Sequence, residues 1–200
     1  MKNINNYIIE KLKIKSDSKI NKHNYHPKDK EELKELIDKL IKKRGNKADL
    51  NDIDVSDITT MYGLFDKSDF NGDISDWDVS NVENMAWMFA QSKFNGDISR
   101  WDVSKVTNMC GMFDQSEFNQ DISDWDVSSV IKMGCMFSVS KFNQDISRWS
   151  TSKVIDMHSM FSWSDFNQDI SSWDVSNVKD MKDMFEKSPL EKNPPKWYHE

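Results

Sequence analysis

Glycine is scarce, proline scarcer and cysteine nearly missing: 200 residues hold six Gly, four Pro and two Cys. No apolar run approaches the ~20 residues that a membrane-crossing helix needs. The opening, MKNINNYIIEKLKIKSDSKI, lacks the roughly 7–15-residue apolar core of a signal peptide, and it has no lipobox-like Cys. These shortages imply a chain that stays in the cytoplasm, with a virion or a bacterial surface as the alternative settings. There the two thiols, Cys110 and Cys135, are expected to be free. The four histidines (His23, His26, His158 and His199) show no ligand spacing, so neither a metal centre nor a cofactor is expected. His158 stands where other copies of the repeat described below carry Ala86, Cys110, Gly134 and Lys182, and reads as a tolerated substitution. No Ser/His/Asp set, Gly-rich phosphate loop or paired carboxylates stands out, and no enzyme is expected.

Aromatic residues and methionine are plentiful instead, with eight Trp, eleven Phe and twelve Met. That content argues against disorder, although Lys, Asp, Asn and Ser are also common. The net charge of −7 is unevenly spread. Residues 1–45 hold thirteen Lys/Arg against seven Asp/Glu, whereas 46–189 hold twelve against twenty-five. A basic head on an acidic body suggests two roles in one chain. The acidic body is unsuited to binding a phosphate backbone, which takes clustered Lys/Arg.

The body repeats itself every 24 positions. Phe70, Phe94, Phe118, Phe142 and Phe166 keep this period, as do Trp77, Trp101, Trp125, Trp149 and Trp173. Counted from its Phe, the unit reads F-N-[GQ]-D-I-S-x-W-D-V-S-x-V-x-x-M-x-x-M-F-x-x-S-x. Full copies, units 1 to 5, occupy 70–93, 94–117, 118–141, 142–165 and 166–189. A degenerate copy precedes them at 46–69, and 190–200 keeps Leu190 and Trp197 in register as a C-terminal cap. Within a unit, I-S-x-W-D-V reads as a short strand. Val82, Met85, Met88 and Phe89 then take helical spacing behind Ser80 as N-cap, with Glu83 completing a capping box. A lone unit cannot bury enough apolar surface to offset its ordering entropy, so the units are expected to stack. The predicted fold is an α/β repeat solenoid, leucine-rich-repeat-like, with one short strand and one short helix per unit. The rhythm Ile74-x-x-Trp77-x-Val79 supports that class.

The phrase FNQDISxWDVSxVxxMxxMF over about 46–189 resembles the BspA-type bacterial surface-protein repeat, also found in arrays on mycoplasma-type lipoproteins. The resemblance implies a leucine-rich-repeat-like solenoid and a role in adhesion or protein binding. Here the unit is one or two residues shorter than usual, and no secretion or lipidation signal accompanies it.

Ahead of the repeats, 27–45 reads as an amphipathic capping helix: Leu33, Leu36, Ile37, Leu40 and Ile41 form its stripe, with Pro27 in the first turn and Gly45 as the stop. The basic leader, 1–26, carries an apolar cluster of Tyr7, Ile8, Ile9, Leu12 and Ile14, and is similar to the openings of small bacteriophage proteins.

Candidate sites lie among the letters that vary, because the scaffold does not dictate them. At position 7, Asp76, Arg100, Asp124 and Arg148 alternate in sign. Stacked at strand spacing, ~4.8 Å, they would pair with one another or face a partner. Trp87, Val139 and Trp163 fall opposite the apolar stripe, with Ile131 and Ile155 on its flank. These make either a partner patch or packing in crevices between layers. Asp73, Asp97, Asp121, Asp145 and Asp169 recur with an Asn two residues earlier. Calcium needs six to eight converging oxygens, and the Gly-poor units favour local backbone bonds instead. The expected function is a non-enzymatic protein-interaction or scaffold module with an acidic surface. Alternatives are a phage or mobile-element inhibitor that imitates nucleic acid, and a structural virion or surface component.

Overall fold

A computed structural model of the chain describes residues 23–199, so nearly all of the 1–26 leader and its apolar cluster lie outside the described residues. Each unit forms one layer, and groups one repeat period apart bond it to the layers on either side. The expected strand and helix within the unit are both absent. Among the described residues the parallel pairings are isolated bridges, such as Asn84 with Asn108 and Asp156 with Asp180. Among the described residues there is one α-helix, α1 (Lys30–Arg44), and it lies outside the repeats. The prediction of an α/β, leucine-rich-repeat-like solenoid is therefore corrected: the units are made of successive turns.

Backbone dihedrals explain the missing helix. Trp87 and Gln91 have φ of 59° and 53°, in the left-handed region that a right-handed helix cannot contain. The same two positions are left-handed in every layer: Gly63 and Lys67, Gly111 and Gln115, Cys135 and Val139, Ser159 and Trp163, Asp183 and Lys187. Amide groups that a helix would bond internally split into two sets. Met85, Trp87, Phe89 and Gln91 donate to the carbonyls of Asn108, Cys110, Met112 and Asp114 in the next layer at 2.7–2.9 Å. Met88, Ala90 and Ser92 donate back to Met85, Trp87 and Phe89, closing turns. The spacing of Val82, Met85, Met88 and Phe89 thus marks turns that all point one face inward.

The stretch expected as a strand is also turns. Trp77 N–H donates to Ile74 O at 3.2 Å, and Asp73 and Asp78 accept the N–H groups of Ser75 and Ser80 in Asx-turns at 2.9 and 3.1 Å. Ser80 is therefore the acceptor's partner in a turn, and no helix follows for it to cap.

Two phenylalanine columns and one of tryptophan fill the interior. Phe70, Phe94, Phe118, Phe142 and Phe166 stack at 6.2–6.3 Å between ring centroids, with their planes nearly parallel. Phe65, Phe89, Phe113, Phe137, Phe161 and Phe185 stack at 5.4–6.0 Å. Each such contact contributes about 0.5–1.5 kcal/mol beyond area burial. Every repeat Trp is buried, and its indole N–H reaches back to a carbonyl in the preceding layer: Trp77 to Leu50 O, Trp101 to Ile74 O, and so on to Trp173 with Ile146 O. Asn at position 2 forms a second polar column, with Asn71, Asn95, Asn119 and Asn143 each accepting the backbone N–H of the Asn one layer on.

Both ends of the stack are covered. Helix α1 begins after Asp29, whose carboxylate accepts Glu32 N–H, so Pro27 precedes the helix and is not in its first turn. Leu33, Ile37 and Leu40 are buried in the core. Arg44 grips Asp52 with both guanidinium nitrogens at 2.9 Å. At the other end, Trp197 stacks on Trp173 at 6.5 Å and donates to Ile170 O, continuing the Trp column. Among the described residues no helix is long and apolar enough to cross a membrane.

Candidate functional site

With a common path through every layer, each unit position becomes a column along the stack, and the varying letters can be read column by column. At position 7 the charges pair with each other. Arg100 Nη2 lies 3.2 Å from Asp76, and Arg148 Nη2 lies 3.1 Å from Asp124. The arginine members are mostly exposed, so each pair is worth at most about 1 kcal/mol. All four residues fit a charged edge that is satisfied within the molecule.

The apolar candidates divide. Trp87 is only half-buried because its indole lies over Gly111, the residue at the same position in the next layer; a Cβ there would collide with the ring. Crevice packing describes Trp87. Ile155 is likewise half-buried, while Ile131, one layer before it, is 39% exposed. Val139 and Trp163 are different: they occupy position 22 in adjacent layers and are 51% and 58% exposed. Elsewhere in that column stand Lys67, Gln91, Gln115 and Lys187. Lys187 Nζ sits 5.9 Å from the Trp163 ring centroid. Tyr62, 50% exposed, is a further large exposed residue that the sequence reading did not single out. It lies in the degenerate unit, where register was weakest.

The recurrent aspartates are occupied by their own turns. Asp73, Asp97, Asp121, Asp145 and Asp169 each accept the N–H of the Ser two residues on, at 2.9 Å. Those bonds hold their carboxyls below the usual range.

Sequence reasoning missed one cluster. His158 Nδ1 lies 2.7 Å from Asp156 Oδ1, and its Nε2 lies 3.3 Å from Cys135 Sγ. The ring leans back over Gly134, where any Cβ would collide with it. Both cysteines are free. Burial, reinforced by Asp114, Cys110 and Asp156, pushes the Cys135 thiol up to about 11; burial also raises Cys110. The signal was present in the separation of Cys135 and His158, one repeat period less a single position. Linear spacing conceals it, because ligand patterns within one turn or loop are far shorter.

A family model described as "Mycoplasma protein of unknown function, DUF285" matches residues 32–139 and 93–198. The chain belongs to that family. No curated protein and no solved structure matches it. The two overlapping matches take in α1 from Glu32 onward and all five full units, so the DUF285 pattern is the scaffold itself. Position 22 of units 3 and 4, and the Cys135–His158 cluster, depart from the other units of this same chain.

Proposed function

We propose that the chain is a non-enzymatic protein-interaction module, of the surface-repeat type implied by its BspA-like phrase, and that it engages a partner protein through Val139 and Trp163. One observation carries this reading: two large apolar side chains, more than half exposed, stand side by side at left-handed backbone positions. A β-branched or aromatic residue there costs on the order of 1 kcal/mol in backbone strain. Exposure of an indole adds a solubility cost. Lys or Gln meets neither cost in full, and the other layers use them. The excess of acid over the repeats favours a partner with a basic rim around an apolar anchor pocket, because complementary charge speeds encounter.

Native mass spectrometry of the complex recovered from extracts of expressing cells tests the reading. A single protein partner at fixed stoichiometry, lost on Trp163→Ala, is expected. Recovery of homo-oligomers alone would replace it with a structural role. A basic nucleic-acid-binding partner, released by moderate salt and indifferent to Trp163→Ala, would replace it with nucleic-acid imitation.

A further inference from the structure

Position 15 changes character in the last two full units. Thr60, Asn84, Asn108 and Lys132 give way there to Asp156 and Asp180. The turn at this position asks only for an acceptor: Asn84 and Asn108 each accept the N–H two residues on, at 3.0 and 3.1 Å. Asp156 and Asp180 make the same bond at 3.2 and 3.1 Å, so their charge is surplus to the turn. The two residues pair across one layer step in a parallel bridge, where like charges oppose each other. Among the described residues the one ion-pair contact to either carboxylate comes from His158, whose Nδ1 lies 2.7 Å from Asp156 Oδ1. Gly134 makes room for that contact: a Cβ there would stand 2.4 Å from Nδ1 and 3.0 Å from Oδ1.

We propose that Asp156, His158 and Asp180 form a binding site for a first-row divalent transition-metal ion of the zinc and cobalt(II) class. One ligand atom from each of the three lies within 4.8 Å of the other two. Zinc-type bonds of about 2.0–2.2 Å to nitrogen and oxygen, at a tetrahedral angle, set ligand atoms about 3.4 Å apart. Asp156 and His158 already stand near that separation, and Asp180, the exposed member, has a short side-chain swing to make. One imidazole and two carboxylates form a mixed nitrogen and oxygen set that suits ions of this class. The ion takes the place of the hydrogen that joins Nδ1 to Oδ1, as metals displace ligand protons in general. It also relieves the opposed charges of the two layers. Three ligands from the protein leave a further coordination position for water.

Cobalt(II) serves as the spectroscopic probe, titrated into the full chain under a phosphine reductant. Saturation at a single equivalent is expected, with d–d absorption in the visible and no thiolate-to-cobalt charge-transfer band in the near ultraviolet. Asp156→Asn, His158→Ala and Asp180→Asn each weaken binding about 100-fold or more, beyond what partners outside the coordination sphere command. Asn84 and Asn108 already occupy position 15, and Ala86 position 17, in other layers. All three substitutions therefore suit the stack, and unchanged melting of the metal-free variants verifies it. The proposal is overturned if no cobalt binds at micromolar concentration, or if binding keeps its full strength in Asp180→Asn. It is equally overturned by a charge-transfer band that Cys135→Ser removes, which would put the ion on the thiol side of His158.

Discussion

At the residue scale, the stack works by pairing an intruding side chain with a glycine one layer away. Trp87 lies over Gly111, and His158 lies over Gly134. Gly111 also has a φ of 59°, so it answers two demands at once. Gly111→Ala should cost about 2 kcal/mol: roughly 1 for the left-handed backbone and a similar amount for displacing the indole. In chemical denaturation, adding Trp87→Ala should recover the second portion, giving a double-variant loss smaller than the sum of the singles. Additive losses would show that the two residues do not touch. The sequence displayed Trp87 as facing away from the apolar stripe, which is correct in direction. Its burial was hidden because the cover is supplied by an absence, the missing side chain of a residue one full repeat further on. The same blindness applied to His158: Gly134 stands in the same column as one letter among several, and only stacking shows that its missing side chain leaves room for the imidazole ring.

At the scale of elements, α1 was legible and the units were not, for one physical reason. Helix signals are local: the acidic first turn, the Leu33–Ile37–Leu40 stripe and the Gly45 stop lie within a few residues of the bonds that they govern. In the units, many of the amide bonds close to another layer. Periodicity within a single unit therefore reports which side chains face inward, and says little about where the N–H groups go. Far-ultraviolet circular dichroism separates the two folds. The helical signal that residues 23–199 contribute should correspond to little more than the fifteen residues of α1. A signal implying a helical turn or two in each unit would restore the α/β reading. The join between α1 and the first layer should also respond to acid. The Arg44 hydrogen bonds, assisted by Asn24, outweigh burial and bring Asp52 down to about 2. As pH falls from about 4, the unfolded chain takes up this proton first, so the stabilisation is complete above pH ~4 and is lost toward pH ~2. On the order of 1–2 kcal/mol should disappear over that window after solvent screening. The stability gap between the natural chain and Asp52→Asn should shrink in step with the pH; a constant gap would mean that the pair contributes nothing through charge.

At the scale of the whole molecule, the chain is a uniform stack with local exceptions. The stacking of repeated layers was legible, because identical letters at a fixed period must meet their own copies; the aromatic columns, the Trp–carbonyl bonds and the Asn column are its realisation. The exceptions were harder to rank. Equal apolarity made Trp87, Ile155, Ile131, Val139 and Trp163 look alike, and only the relief of neighbouring layers separates the last two as an exposed pair. This carries the central claim: function sits where the chain accepts strain and exposure that the scaffold does not need. Val139→Asn replaces a strained residue with one that tolerates the left-handed region, and should raise stability by about 0.5–1 kcal/mol. The most direct test measures the Val139→Asn, Trp163→Ala double variant against the natural chain, for melting temperature and for affinity to the recovered partner. The account predicts melting that is unchanged or higher, together with affinity reduced about 30-fold or more, the loss of a hot spot worth roughly 2 kcal/mol. Undiminished affinity, or a variant that unfolds more readily than the natural chain, would contradict it.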